Sequence, residues 1–421
     1  MHHAHPRGWL VVWLAIIWLT GCAASGPTAT REDVAEAIQA RYEAELFTLS
    51  PDKQRHYAQR LYRISGDARY VPLSESHAKR LMLRLGESLD GLALHDDYAA
   101  RRSQVLLDAY PTRTARQRAR RQMFADWDDM IYARRLLFTL IQLDYYGLLD
   151  APRLAGHEPA LDYLAQVDFA AFLTDPQVLS VYAAQVANIV HYLYQLGIVD
   201  LRDEVVGAFR QHYSPARVAA LDVDEYRNRI YGMTHLVIAD SRYYQREVSA
   251  AEHAWILEAF AAELPRILRD TTEDIMAEVG ISFLLAGQQD HPAVTQLREA
   301  IVDAYDPQAR MIPATDGSTD LERGEHRNVL AIMLLRWPEQ LHPGPDLRKS
   351  LGQAPLAADS PSGGIDLQRL QPVTAGDVVA AEHRLALEPA SRSGPLPATL
   401  AVGQRHAQRQ SPVAGVEHAA G

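Results

Sequence analysis

Long apolar helix patterns recur along the chain and constrain its fold more than any other feature. Apolar residues return at helical spacing, and such runs begin about every 45 to 75 residues. A helix that is apolar all round is buried, so each run must be covered by other helices. The six apolar runs are Gln54–Ile64, Trp127–Tyr146, Val178–Leu196, Tyr226–Ala239, Glu273–Ala286 and Glu325–Trp337.

More amphipathic segments separate these runs, which predicts pairs of buried and half-exposed helices. Gly66, Gly197 and Gly287 each follow an apolar run, as glycine does where a helix ends in the left-handed conformation. No segment shows strand alternation followed by a hairpin turn, so no sheet is predicted. The amphipathic segments are Ser76–Leu85, Ala160–Leu173, Leu201–Tyr213, Ala250–Leu268 and Ala293–Tyr305.

The turn after the first apolar run carries a resemblance to a known fold. The segment Leu61–Tyr70 (LYRISGDARY) resembles the hairpin turn of α/α-toroid proteins, a group that includes glycosidases, polysaccharide lyases and terpenoid-cyclase-like domains. The resemblance extends over residues 31–337 and implies six inner helices alternating with outer ones. We therefore predict an all-α fold, an α/α toroid of the six-hairpin, incomplete-barrel type, over residues 31–350.

The N-terminus resembles that of a bacterial lipoprotein. Trp9–Leu19 is an apolar run of eleven residues, shorter than the roughly 20 residues of a membrane span and typical of a signal peptide. Leu19-Thr20-Gly21-Cys22 then resembles the lipobox. The resemblance implies that residues 1–21 are removed, that Cys22 is acylated, and that residues 22–30 tether the domain. The alternative is a short N-terminal anchor helix.

Two further properties bear on location and partners. Cys22 is the only cysteine, so no disulfide can form within the chain, and the thiol suits a lipid anchor. The resemblance to lipoproteins also implies, because Ala23 is not Asp, sorting to the outer membrane of a cell that has one, on its periplasmic face or at the surface. The net charge of −11 argues against nucleic-acid binding. Residues 351–421 are rich in Pro, Ala, Gly and Ser, which predicts a mostly disordered tail.

Polar residues on the apolar helices are the candidate functional residues. Glu278 lies in mid-helix among apolar residues, where desolvation favours a neutral carboxyl that could serve as a general acid. A ring of such helices would bring similar residues into one cavity. The candidate catalytic residues are Glu278, His235, Asp128 and Asp240. The candidate cavity residues are Asn188, His191, Asn228, Tyr231, Asp274, His326 and Arg327.

Each candidate also has a structural interpretation. Glu278 could form a buried ion pair with Arg135 or Arg327, and His191 could be a hydrogen-bonded core residue. Asp128 and Asp274 could stabilise helix N-termini. The sequence contains neither a metal-ligand motif of the HExxH kind nor a nucleotide-binding fingerprint, so neither metal nor cofactor is predicted.

Two classes of function stay open at this stage. The first is a glycan-active envelope enzyme: either a glycosidase using Glu278 with Asp128 or Asp240, or a lyase using His235 and Tyr231 for proton transfer. In the lyase, Asn228 and Arg327 would neutralise a uronate. The second is a non-enzymatic lipoprotein that binds a ligand or an envelope protein. The blocks Gly232–His235 and Gly324–Val329 resemble an uncharacterised family of proteobacterial lipoproteins, which implies no activity.

Overall fold

A computed structural model of the chain describes residues 30–353, which form eighteen α-helices and three short 3-10 helices. Within this range no strand forms, and the single β-bridge joins Asp306 to Met311. The all-α prediction is confirmed. The helices are α1 Arg31–Glu45, α2 Pro51–Ser65, α3 Val71–Leu94, α4 Tyr98–Asp108, α5 Ala115–Ala125, α6 Met130–Tyr145, α7 Glu158–Gln166, α8 Phe169–Thr174, α9 Pro176–Gln195, α10 Arg202–His212, α11 Pro215–Val218, α12 Val223–Asp240, α13 Ala254–Ala262, α14 Leu264–Asp270, α15 Glu273–Leu285, α16 Pro292–Asp303, α17 Leu321–Leu335 and α18 Arg348–Leu351.

The six apolar runs form α2, α6, α9, α12, α15 and α17, each within four residues of its predicted bounds. Their burial follows from their composition: in α15, every residue after Glu273 is buried. Two amphipathic segments divide where the sequence interrupts a helix. Asp168 caps α8 through the backbone N–H of Ala171, and Pro265 stands in the first turn of α14.

The buried helices contact one another in a cyclic order. Helix α2 packs on α17, α17 on α15, α15 on α12, α12 on α9, and α9 on α6. Helix α3 packs on both α6 and α2 and so closes the cycle. The inner faces of these helices therefore surround a common centre. The prediction that this all-α fold is an α/α toroid of the six-hairpin type stays a prediction.

The contact between α9 and α12 is especially close. Gly232 of α12 lies against Ala183 of α9 and Phe209 of α10, and a Cβ at position 232 would come within 2.8 Å of both side chains. Only a glycine permits this approach. Thr234 and His235, two and three residues further along α12, are buried.

The predicted helix ends are confirmed. Gly66, Gly197 and Gly287 adopt φ values of +65°, +68° and +70°, the left-handed conformation that terminates a helix. At the other end, Asp222 accepts from the backbone N–H of Glu225 and completes a capping box at the start of α12.

Several predictions concern parts of the chain outside the described residues. The predicted signal peptide, Cys22, and nearly all of the predicted tether and tail fall there. Among residues 30–353, no helix combines the length and the apolar character needed to cross a bilayer.

Candidate functional site

A central cavity lies where α2, α6, α9, α12 and α17 meet, and its volume is about 80 Å³. A space of this size holds several water molecules or one small chemical group. Guanidinium, amide, imidazole and aromatic groups form its wall, and no carboxylate does. The lining residues are Arg55, His56, Gln59, Arg60, Arg134, Arg135, Phe138, Gln142, Gln185, Asn188, Tyr192, Tyr231, His235, Tyr243 and His326.

Helix α2 contributes two arginines to this wall. Arg55 and Arg60 are only 3% and 6% exposed. Nη1 of Arg55 donates to Oε1 of Gln59 at 3.0 Å. Nε and Nη2 of Arg55 and Nε of Arg60 are buried and have no hydrogen-bond partner within the described chain. Buried guanidinium groups are normally paired, so these donors leave hydrogen-bonding capacity at the cavity.

Behind the wall, Glu278 lies between two histidines. Its carboxylate is fully buried, and Oε1 lies 3.7 Å from Nε2 of His235 and 3.8 Å from Nε2 of His326. The hydroxyl of Thr234 donates to Oε2 at 2.7 Å. Both histidines line the cavity and Glu278 does not, so imidazole rings separate its carboxyl group from the cavity.

Each of these histidines has a second partner. Nδ1 of His235 lies 2.9 Å from Oδ1 of Asn188, and Nδ1 of His326 lies 3.5 Å from Oδ2 of Asp274. Burial lowers the pKa of His235 to about 3, so this ring is neutral near pH 7. Burial raises the pKa of Asp274, but the hydrogen bond from His326 and the charge of Arg327 outweigh burial and hold that pKa well below its usual range.

A second buried histidine–carboxylate pair lies beside the first. Nδ1 of His56 is 2.7 Å from Oε1 of Glu325, and Nζ of Lys53 donates to Oε2 at 3.1 Å. The rings of His56 and His326 are 5.2 Å apart. Burial and the neighbouring charge of Arg60 lower the pKa of His56, so the arginines supply the positive charge of the cavity wall.

A strained turn completes the cavity. Arg242, Tyr243 and Tyr244 follow α12 with φ values of 54°, 57° and 66°. Three consecutive non-glycine residues in this conformation cost roughly 1–2 kcal/mol each. Tyr243 lines the cavity, and the ring of Tyr244 lies 5.6 Å from Cζ of Arg60. Backbone strain of this kind persists where the surrounding structure enforces it, commonly at functional sites.

The structure brings some of the sequence-predicted candidates together. Asn188, Tyr231, His235 and His326 line the cavity, and the rings of Tyr231 and His235 pack edge to face with centroids 4.5 Å apart. Glu278 and Asp274 lie directly behind these residues, as described above.

Other candidates lie elsewhere. Asp128 is exposed in the turn before α6. Nδ2 of Asn228 donates to the carbonyls of Leu179 and Ser180 and to the hydroxyl of Tyr213, which is a structural role.

Asp240, His191 and Arg327 are also absent from the cavity wall. The carboxylate of Asp240 pairs with His253 and Arg246, each at 3.0 Å. His191 is buried, and burial lowers its pKa to about 4. Nε of Arg327 pairs with Glu273 at 3.0 Å. Within residues 30–353, no three His, Cys, Asp or Glu side chains form a group that could hold a metal ion.

Arg55, Arg134 and the tyrosines of the strained turn were not among the residues predicted for the cavity. A signal for the α2 residues exists in the sequence: Arg55 and Gln59, and likewise His56 and Arg60, are spaced four residues apart on a helix that apolar neighbours bury. The turn Arg242–Tyr244 contains neither Gly nor Asn, so the sequence gives no sign of its left-handed conformation.

Comparison with known proteins gives one match. Neither a curated protein nor a solved structure matches the chain. The match is to a family whose description assigns no activity, in agreement with the resemblance to an uncharacterised family. Over residues 31–357, which include every helix described above, the chain belongs to the family described as "Domain of unknown function (DUF3541)".

Proposed function

We propose that this protein is a lipid-anchored lipoprotein of the bacterial envelope that binds an envelope glycan through its central cavity. The observation that carries the proposal is the composition of the cavity wall. Phe138, Tyr231 and Tyr243 supply aromatic surface, while amide and guanidinium groups supply directed hydrogen bonds. Ligand sites typically combine apolar and aromatic surface with a few placed polar groups in this way.

The size of the cavity limits which part of a glycan it can hold. An apolar cavity of about 150 Å³ accommodates a benzene ring, so 80 Å³ is too small for a whole sugar ring. Phe138, Tyr231 and Tyr243 are partly exposed and place aromatic surface at the opening. The cavity would therefore receive one substituent of a sugar, while the ring packs against these side chains.

The membrane anchor rests on the lipobox Leu19-Thr20-Gly21-Cys22. Acylation of Cys22 would hold the domain close to envelope glycans, and several acyl chains anchor a protein stably where one does so only marginally. Cys22→Ala should abolish labelling by a fatty-acid analogue in cells and leave the precursor uncleaved. Labelling of the Cys22→Ala variant would contradict the anchor without affecting the binding proposal.

Calorimetric titration of the full chain with envelope glycan fragments tests the binding function. We expect binding by wild type and at least tenfold weaker binding by Tyr243→Ala, because the ring supplies contact surface at the opening. Tyr194→Ala is the matched control, since Tyr194 is 42% exposed and lies outside the cavity wall. Binding that Tyr243→Ala and Tyr194→Ala alter equally would contradict the proposed site.

A second candidate function is acid–base catalysis on the glycan, and the position of Glu278 between His235 and His326 favours it. The lyase version suits the geometry better than the glycosidase version, because Tyr231 and His235 are neighbours whereas no carboxylate lines the cavity. In a lyase, a base removes the proton next to a uronate carboxylate, the glycosidic C–O bond breaks, and the departing oxygen takes up a proton.

The product of this elimination carries a conjugated double bond, and ultraviolet absorbance detects it. Incubation with uronate-containing polysaccharides should give a signal with wild type that His235→Ala and Tyr231→Phe each abolish. Absence of a signal from wild type, while the same glycans bind, would eliminate the catalytic candidate and leave the binding function in place.

A further inference from the structure

The charge of the cavity wall specifies the ligand more narrowly than its shape does. Arg55 and Arg60 from α2 and Arg134 and Arg135 from α6 all line a space of about 80 Å³. No carboxylate shares this wall, because Glu278 lies behind the histidines as described above. The cavity wall is therefore positively charged, although the whole chain carries a net charge of −11.

Arg55 and Arg60 both have hydrogen-bond donors that no group of the described chain satisfies. Neither guanidinium lies within ion-pairing distance of a carboxylate in residues 30–353. Three of their nitrogens are buried without a hydrogen-bond partner in that range, and both residues line the cavity. A buried guanidinium that has unsatisfied donors and no carboxylate partner is strongly unfavourable, so an anionic partner from outside the chain would stabilise it. Arginine's fixed fork of N–H groups matches carboxylate, phosphate and sulfate oxygens.

We propose that Arg55 and Arg60 form an oxyanion-binding site in the central cavity and that the ligand carries a carboxylate, phosphate or sulfate group there. The inference rests on the proposed binding function and names the class of its ligand. One such group fits the cavity volume, and the rest of the ligand extends past Tyr231 and Tyr243. Within an envelope glycan, a uronic acid or a phosphorylated sugar carries this chemistry.

The neighbouring carboxylates define where the anion sits. Glu325 is held by His56 and Lys53, and Asp274 by His326 and Arg327, so these carboxylates have cationic or imidazole partners of their own. The charge of Arg60 also helps to lower the pKa of Glu325, but Lys53 and His56 make its direct contacts. Both arginines of α2 line the cavity, whereas Glu278, Glu325 and Asp274 do not.

Calorimetric titrations of the full chain with four probes test the site: glucuronate, glucose, inorganic phosphate and acetate. We expect glucuronate to bind at least tenfold more tightly than glucose, because only glucuronate offers an oxyanion to the arginines. In Arg60→Gln, the affinity for glucuronate should fall about 10- to 100-fold, a larger loss than the same change causes for glucose. Arg101→Gln removes an exposed positive charge on α4 and serves as the matched control, with no expected change.

A second variant at position 60 separates a loss of binding from a loss of the fold. Arg60→Lys keeps the charge and loses the fork, so it should fold like wild type and bind glucuronate with intermediate affinity. Unfolding temperatures of all variants check the fold. Equal affinities of wild type, Arg60→Gln and Arg60→Lys for glucuronate would overturn the site.

The four probes show whether the anion is a carboxylate or a phosphoryl group. They also distinguish the oxyanion site from the proposed glycan binding. Binding of phosphate and acetate without any binding of sugars would support the oxyanion site and contradict the glycan function. Equal binding of glucose and glucuronate would overturn the oxyanion site while glycan binding stands. Tighter binding of phosphate than of glucuronate would identify a phosphoryl group as the ligand's anion.

Discussion

Nε2 of His235 lies 3.7 Å from Oε1 of Glu278, and neither atom is accessible to solvent. Because Nδ1 of His235 faces the carbonyl oxygen of Asn188, Nδ1 donates and Nε2 carries the lone pair of the neutral ring. A lone pair and an ionised carboxylate repel each other at this distance. An uncharged hydrogen-bond donor at position 278 would remove this repulsion.

Glu278→Gln and Glu278→Leu distinguish hydrogen bonding from charge in this pair. The amide of Gln can donate to His235 and accept from Thr234, so we expect a loss of at most about 1 kcal/mol in the free energy of unfolding. Leu leaves both partners unsatisfied and should cost about 1–3 kcal/mol more than Gln. Urea unfolding measures both values. Equal stability of the two variants would show that His235 and Thr234 do not depend on residue 278.

Asn188 should orient His235. Asn188→Ala removes the acceptor for Nδ1, so the free energy of unfolding should fall by about 1–3 kcal/mol. Gln185→Ala is the control on the same helix, since Gln185 lines the cavity but is only half-buried, and its loss should stay within about 0.5 kcal/mol. A larger loss at position 185 than at 188 would contradict the orienting role.

Stability should depend on pH through the buried histidines. Burial lowers the pKa of His56, His77, His191 and His235 below the value near 6.5 of an unfolded chain. The unfolded state therefore binds more protons below about pH 6.5, and stability falls as the pH decreases from there towards about 4. His191 and His235, whose pKa values fall to about 4 and about 3, each contribute up to about 1.4 kcal/mol per pH unit over that interval.

His191→Gln tests this linkage away from the cavity. The slope of the unfolding free energy against pH, between about pH 6 and about pH 4.5, should fall by about 1.4 kcal/mol per unit in the variant. The carboxylates Asp274 and Glu325, whose pKa values lie below their usual range, add a further loss of stability only below about pH 4. An unchanged slope would mean that His191 titrates normally in the folded protein.

The contact between α9 and α12 predicts opposite effects for two glycine substitutions. Gly232→Ala forces a Cβ against Ala183 and Phe209 and should cost about 1–3 kcal/mol. Gly207→Ala in α10 meets no atom within 4 Å and should stabilise the protein by about 0.5–1 kcal/mol through helix propensity. Thermal unfolding compares the two variants, and stabilisation by Gly232→Ala would contradict the close packing of these helices.

Much of the helical layout could be predicted from the sequence, because burial makes helices such as α15 apolar all round. The candidate site residues were harder to place. The helical face of a residue can be read from its spacing in the sequence, but its distance from the cavity along the helix axis cannot. Asn228 and His235 share a face of α12, but seven residues separate them by about 10 Å, so only His235 reaches the cavity. Asp128 precedes the first residue of α6 and lies in an exposed turn.

The positively charged cavity wall could be predicted only in part, for a different reason. Arg55 and Arg60 sit on the most polar of the six buried helices, and arginines in a sequence normally indicate a solvent-facing surface. Their burial depends on α17 and α3 packing on either side of α2, which local sequence does not determine. The turn at Tyr243 likewise takes its conformation from tertiary contacts.

A crystal structure of the protein bound to glucuronate would test the oxyanion site directly. We expect the carboxylate of the ligand within hydrogen-bond distance of Arg55 and Arg60, and the sugar ring against Tyr231 and Tyr243 at the opening. Glucuronate bound elsewhere on the protein, with the two guanidinium groups turned away from the cavity, would contradict the site.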